Sequence, residues 1–156
     1  MRMHTIQVSA LALAFATALP AITTAQLPSK DHTPGAAAKI DVKRLCSAEF
    51  TGSIKPITHW QRDEALTRYG IRPESFDGTL DRLIPVSLGG TNDPDNVYPF
   101  HASGEFTFDG KNQLGERLHQ LVCDRKLSLK DAQNAMKKDW TRAYKQYVQA
   151  SNAPGH

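Results

Sequence analysis

The chain has 156 residues, of which 40% are hydrophobic and 22% are charged, and its formal net charge is +3. This length fits one ordinary domain behind a leader segment, and no internal repeat divides it. The small net charge does not by itself indicate a nucleic-acid or membrane partner.

The N-terminal segment has the order of features of a secretory signal peptide. Arg2 supplies a positive charge, residues 6–20 are almost wholly apolar or small, and the small residues of 23–25 follow. The apolar run is shorter than the roughly 20 residues of a membrane-spanning helix, and Pro20 closes it. We therefore expect residues 1–25 to be removed after Ala25 and the mature protein to be periplasmic or secreted. A membrane anchor is the alternative.

The mature chain is expected to consist of a lead-in, residues 26–40, and a domain, residues 41–150. The lead-in is rich in Pro, Ala and Gly, which favours a flexible segment. Cys46 and Cys123 are the two cysteines of the chain, and they lack the C-x-x-C spacing of a zinc site. In an exported protein such a pair typically forms a disulfide, which would stabilise the fold by about 4 kcal/mol on the chain-entropy model. Two buried thiols are the alternative.

The first predicted elements are a helix and a hairpin. Residues 63–69 carry acids at their start and precede Gly70, as expected of a short helix that ends in a glycine. Residues 78–86 and 96–100 are predicted strands. A turn-rich connection over residues 88–96 joins them into a hairpin-like unit.

Two amphipathic helices are predicted after the hairpin. The first covers residues 111–126, with one apolar stripe formed by Leu114, Leu118, Leu121 and Val122. The second begins at Ser128, which with Asp131 resembles a capping box, and ends near residue 149. We interpret its apolar and aromatic stripe as core and not as a base-stacking platform. Its members are Ala132, Met136, Trp140, Ala143, Tyr144, Tyr147 and Val148.

The central stretch, residues 81–99, carries a motif. It reads D-R-L-I-P-V-S-L-G-G-T-N-D-P-D-N-V-Y-P. This resembles the core of secreted bacterial HNH (ββα-metal) nucleases, roughly D-H-L-I-P-L-E-L-G-G-x-N-D-x-x-N-L-W-P. Residues 111–119 also resemble the family segment K-D-x-L-E-x-x-L-H. The resemblance implies an α+β fold in which a ββα-metal hairpin and helix pack with additional N-terminal and C-terminal helices.

The resemblance also implies a site. In the family, a divalent metal binds the scissile phosphate and a histidine removes a proton from the attacking water. The matching positions are Arg82 for the histidine, Asn96 for the asparagine that orients it, and Asp81 and His119 for metal ligands. The expected cofactor is magnesium or a similar divalent metal if the site is functional, and none if it is not.

Each matching residue has a plainer interpretation as well. Asp81 could equally be an aspartate in a salt bridge or a turn, and Asn96 could be a turn residue. His119 could be a surface histidine or one whose hydrogen bonds are made within the protein. The chain departs from the family pattern at four polar positions, which are occupied by Arg82, Ser87, Asn112 and Gly115. An arginine stays protonated and cannot act as a general base, although it can bind phosphate. His101 or His119 is the candidate for a replacement base.

The resulting prediction is an exported HNH-fold nuclease-like protein. It would hydrolyse DNA or RNA with a divalent metal if it is active, but reduced or lost catalysis is expected. The alternative is an inactive module that binds nucleic acid or a protein partner, and a structural domain without a ligand is the third possibility. Residues 111–145 are rich in Lys and Arg, which suits a phosphate backbone, although a solvated helix face explains such a run more often.

Overall fold

The computed structural model describes residues 27–50 and 55–150 of the chain. Within them, helices and short turns surround a two-stranded antiparallel sheet, so the predicted α+β class is confirmed. No helix in this part of the chain is long and apolar enough to cross a membrane. The predicted signal peptide, residues 1–25, lies outside the described residues.

Two helices precede the sheet, and side-chain caps define where they begin. Helix α1, Val42–Leu45, is capped by the Asp41 carboxylate. Helix α2, His59–Arg68, starts four residues before the predicted helix because Thr58 and Gln61 form a capping box there. The prediction for its end is confirmed, since Gly70 has the left-handed φ of 68°.

The described part of the expected lead-in, residues 27–40, is held against the domain by backbone hydrogen bonds. The Gly35 N–H donates to Asp95 O at 2.7 Å, and the Ala38 N–H donates to Gly89 O at 2.9 Å. Thr33 is fully buried. The Pro, Ala and Gly content of this segment suggests flexibility, whereas its backbone is hydrogen-bonded to the domain. Side-chain composition does not report on such backbone pairing.

The two predicted strands pair as a hairpin. Strand β1, Thr79–Arg82, pairs with β2, Val97–Phe100, with Thr79 opposite Phe100 and Arg82 opposite Val97. The prediction that the first strand reaches residue 86 is wrong. Beyond Arg82 the chain bends into a 3₁₀ turn, Val86–Leu88, and the backbone N–H of Ile84 bonds to the side chain of Asn96.

The two predicted C-terminal helices are present with shifted ends. Helix α3, Phe108–Cys123, begins before the predicted residue 111 because the Thr107 hydroxyl caps it by accepting from the Gly110 N–H at 3.0 Å. Helix α4, Leu129–Tyr144, begins after the predicted cap Ser128 and continues into a π-helical turn, Lys145–Gln149.

The core lies between the hairpin and helices α3 and α4. The predicted stripe of α4 is confirmed as core: five of its members are buried, and the other two pack against them. The buried members are Ala132, Met136, Trp140, Ala143 and Val148, and the partly buried ones are Tyr144 and Tyr147. The opposing side chains from the hairpin and α3 include Leu83, Ile84, Leu88, Leu114 and Leu118.

The predicted disulfide is confirmed. Cys46 directly follows α1 and Cys123 ends α3, and their Cα atoms are 5.6 Å apart. The two cysteines are separated by 77 positions in sequence, and the hairpin and α2 lie between them. The bond therefore fixes α1 against the end of α3.

Candidate functional site

A cavity of about 240 Å³ lies between β1, the turn that follows it, and helix α3. The hairpin contributes Arg82 and the turn contributes Ser87, while α3 contributes Asn112 across the cavity. These are three of the four positions at which the chain departs from the HNH pattern, so the fold brings them to one place. The full lining is Phe50, Asp81, Arg82, Pro85, Val86, Ser87, Phe108, Asn112 and Glu116.

The fourth position, Gly115, lies on α3 close to the turn. A Cβ atom on Gly115 would lie 3.0 Å from Cγ of Pro85 and 3.7 Å from Oγ of Ser87. The first distance is shorter than ordinary carbon–carbon contact, so a side chain at this position would require the Pro85 ring to move. Gly115 therefore fits directly against the ring of Pro85.

Asp81 is paired with a lysine. Its Oδ2 lies 2.6 Å from Nζ of Lys111, whose side chain is only 3% exposed, while that of Asp81 is 11% exposed. The same ammonium donates to the backbone carbonyl of Arg82 at 2.6 Å. Burial lowers the pKa of Lys111, and the charge and hydrogen bond of Asp81 oppose that shift. Lys111 therefore belongs to the interior, in contrast to its expected place in the basic helical surface.

Arg82 is half-buried and ties the cavity to the chain before α2. Its Nε–H donates to Oδ1 of Asn92 at 2.7 Å, and its Nη2 donates to Lys55 O at 3.4 Å. The Asn92 amide donates to the carbonyls of Lys55 and Pro56, each at 3.0 Å. Burial lowers the pKa of Arg82 and the nearby Asp81 carboxylate opposes this, but a guanidinium remains a cation at any ordinary pH. Its other N–H groups have no hydrogen-bond partner among the described residues.

Asn96 is fully buried, and its side chain hydrogen-bonds to backbone groups. Its Oδ1 accepts from the Ile84 N–H at 2.8 Å, and its Nδ2 donates to Ile84 O at 2.9 Å and to Thr91 O at 2.8 Å. These three bonds hold the two ends of the connection between the strands together. Within the described residues, Asn96 makes no hydrogen bond to the side chain of Arg82, the residue at the position that it would orient in the family pattern.

The two histidines considered as replacement bases lie elsewhere. The Nε2 atom of His119 is 3.3 Å from Leu45 O and 3.5 Å from Sγ of Cys123, so this ring lies against the disulfide. His101 lines a different cavity, of about 340 Å³, together with His32 and Tyr69. Neither histidine is part of the lining around Asp81 and Arg82.

No protein-family model, no curated protein and no solved structure matches this chain. The resemblance to HNH nucleases therefore rests on the motif residues of 81–99 and 111–119. What the protein does has to be inferred from the side chains of the cavity.

Two members of the site were not singled out from the sequence. Lys111 matched the family segment, yet nothing in a helical pattern indicates that its ammonium reaches Asp81 across the hairpin. Glu116 could have been predicted from the sequence, because it follows Asn112 by four residues and such positions share one face of a helix. Glu116 lines the cavity, and Lys111 contacts the cavity residue Asp81.

Proposed function

We propose that this chain is an exported protein with an HNH-like ββα unit that binds the phosphodiester backbone of DNA or RNA and has lost metal-dependent hydrolysis. The motif of residues 81–99 supports the relation to the nucleases, and the Cys46–Cys123 disulfide supports export. One observation carries the proposed loss of catalysis. Arg82 lines the cavity next to Asp81 where the family pattern has its general base, and a guanidinium cannot accept a proton there.

The residues around Asp81 do not fit a magnesium site. Mg²⁺ prefers carboxylate and other oxygen ligands, and it would compete with an ammonium 2.6 Å from Oδ2. Ser87 stands where the family pattern has a glutamate, and Gly115 has no side chain to offer. Glu116 is the other carboxylate of the cavity lining, and it is exposed.

The same side chains suit an anion. Arg82 keeps part of its guanidinium fork available, and arginine binds phosphate oxygens through two parallel hydrogen bonds. Its Nε–H bond to Asn92 fixes the orientation of the fork before a ligand arrives. Phosphate binding there would use a hydrogen bond to a charged group, typically worth about 1.5–3 kcal/mol.

Further exposed cations follow the end of α3 and lie on α4 and on the π-helical turn behind it. Lys111 is buried, and the exposed basic residues of the C-terminal third are Arg125, Lys126, Lys130, Lys138, Arg142 and Lys145. Two of these are engaged locally, Lys126 with Asp124 and Lys145 with Glu105. Backbone binding through such residues is expected to be independent of base sequence and sensitive to salt.

The test is fluorescence anisotropy with labelled single-stranded and duplex DNA and RNA, in EDTA so that binding is measured without cleavage. We expect binding that weakens steeply between low and physiological salt. The Arg82→Gln variant should bind about tenfold more weakly, as the loss of one charged hydrogen-bonding group predicts. Arg72→Gln, at an exposed arginine outside the cavity lining, is the matched control and should bind like the wild type.

Two results would contradict the proposal. If neither DNA nor RNA binds at low salt, the nucleic-acid part is wrong and a protein partner becomes the leading alternative. If the wild type cleaves a plasmid with magnesium or manganese and EDTA abolishes this, the lost catalysis is wrong.

A further inference from the structure

His119 and the disulfide form a second polar cluster, outside the Arg82 cavity. The ligand atoms of Cys46, His119 and Cys123 all lie within 4.8 Å of one another. No other three histidine, cysteine or acidic residues within the described ranges meet that criterion. All three residues are partly exposed, so a solute can reach them.

We propose that reduction of the Cys46–Cys123 disulfide turns this cluster into a Cys₂His site for zinc or a similar transition metal. A dithiol reductant supplies two electrons and two protons and is itself oxidised to a disulfide, which leaves two thiols on the protein. A divalent ion then displaces both thiol protons into solvent, and two thiolates and one imidazole coordinate it.

The geometry on the histidine side already fits. In a tetrahedral zinc site, with bonds of about 2.3 Å to sulfur and about 2.1 Å to nitrogen, a sulfur and a nitrogen ligand lie about 3.6 Å apart. The Nε2 atom of His119 is 3.5 Å from Sγ of Cys123. The sulfurs themselves would have to separate to about 3.8 Å in such a site. With Cα atoms 5.6 Å apart, rotation of the two cysteine side chains can supply that separation.

The hydrogen bond of His119 explains why the oxidised protein should bind metal poorly. A carbonyl can only accept, so the 3.3 Å contact of Nε2 with Leu45 O places the imidazole proton on Nε2. Coordination through Nε2 requires that proton to move to Nδ1 and the bond to Leu45 to break. In the oxidised protein the imidazole would be the only ligand from this cluster, because the two sulfurs are bonded to each other. After reduction, two thiolates join it, and thiolates bind soft or borderline ions strongly.

The donor set also predicts which ions bind. Thiolate and imidazole suit zinc and cobalt, whereas magnesium prefers oxygen ligands. This site would therefore be distinct in ion preference and in position from the metal site that the HNH resemblance implies near Asp81. It also does not depend on whether the Arg82 cavity binds nucleic acid.

The experiment uses the full mature chain, reduced with a phosphine that is then removed without oxygen, and titrated with cobalt(II). We expect one cobalt per chain, with the visible bands of tetrahedral cobalt and a thiolate charge-transfer band, both lost when zinc is added. The oxidised protein should give neither band. His119→Gln should lower the affinity of the reduced protein by about tenfold or more, since loss of even an outer partner of a metal site has effects of that size.

His59→Gln, at an exposed histidine that begins α2, is the matched control and should leave cobalt binding unchanged. Circular dichroism of the reduced protein with and without zinc separates unfolding from failure to bind. If reduction unfolds the chain, zinc should restore the spectrum of the oxidised protein, and failure to restore it would overturn the proposal. Octahedral cobalt, no binding, or equal affinity in wild type and His119→Gln would overturn it as well.

Discussion

The ammonium of Lys111, on helix α3, lies 2.6 Å from the carboxylate of Asp81, on strand β1, and both side chains are almost withdrawn from solvent. The same ammonium is 5.9 Å from the centre of the Tyr98 ring on β2. One lysine thus connects the helix to both strands of the hairpin. Its charge is compensated by Asp81, so neither partner can be removed without leaving the other charge buried and unpaired.

Lys111→Met is therefore expected to lower the free energy of unfolding by about 3 kcal/mol or more, as measured for broken buried ion pairs. Urea unfolding at neutral pH is the measurement. Lys126→Met is the matched control, because Lys126 also pairs with an aspartate, Asp124, at 3.3 Å, but its side chain is 67% exposed. That control should change stability by less than about 0.5 kcal/mol. Equal stability of the two variants would show that the buried pair does not hold the hairpin to α3.

The sequence identified the elements better than their ends. Amphipathic stripes and turn residues predict α2, the hairpin, α3 and α4. Burial of one face of an element imposes a period on the positions of the apolar residues, and the sequence shows that period directly. The periodic pattern does not locate the starts of α2 and α3, because these depend on caps, the capping box of Thr58 with Gln61 and the hydroxyl of Thr107. Several polar residues near each helix could act as its N-cap, and the sequence alone does not show which one does.

The site was predictable only in part, for a similar reason. The motif singled out positions 82, 87, 112 and 115, and the fold brings them around Pro85. The burial of Lys111 could not be predicted, since lysines are rarely buried and this one is buried only because Asp81 lies opposite it. The position of His119 beside the disulfide likewise depends on how α1 meets α3, which no local pattern encodes.

Asn96→Ala tests the buried amide that joins the ends of the strand connection. The substitution removes three hydrogen bonds and leaves the N–H and C=O of Ile84 and the C=O of Thr91 without their side-chain partner. At about 1 kcal/mol or more for each buried group, we expect unfolding to become easier by about 3 kcal/mol. Thermal and urea unfolding measure this, and hydrogen exchange of the Ile84 amide should accelerate. Asn112→Ala, at an exposed asparagine of α3, should be nearly neutral in stability. Similar losses in the two variants would contradict the role of Asn96.

Tyr98→Phe is expected to stabilise the protein, and more so as the pH rises above 10. The Tyr98 hydroxyl is buried without a hydrogen-bond partner among the described residues, so its removal should stabilise the protein at neutral pH by up to about 1 kcal/mol. Burial also raises the pKa of Tyr98 well above its ordinary value, with the nearby Asp81 charge adding to the shift. Its folded pKa exceeds the unfolded value of about 10, so stability is lost as pH rises above 10.

The measurement is the free energy of unfolding between neutral pH and pH values above 10. The wild type should lose stability more steeply than Tyr98→Phe in the alkaline range. The lowered pKa of Lys111 acts in the opposite sense there, but it is present in both proteins and cancels in the difference. Tyr144→Phe, a partly buried tyrosine of α4, is the control and should follow the wild type. Parallel curves for wild type and Tyr98→Phe would refute the assignment.

A histidine at position 82, as in the HNH pattern, tests whether the proposed loss of catalysis is due to the base alone. We expect Arg82→His to give no more magnesium-dependent plasmid cleavage than the wild type, because positions 87 and 115 still lack the carboxylates of the family pattern. Cleavage should first appear when Ser87→Glu and Gly115→Glu are added, and the positioned histidine should then contribute about 10²- to 10⁴-fold in rate. A side chain at position 115 would displace Pro85, so the triple variant should also be less stable. Urea unfolding measures that loss.

The double variant with Ser87→Glu and Gly115→Glu, which retains Arg82, is the control for the histidine. If Arg82→His alone cleaves, then Asp81 and its neighbours do hold a functional metal despite Lys111, and the proposed misfit of the site is wrong.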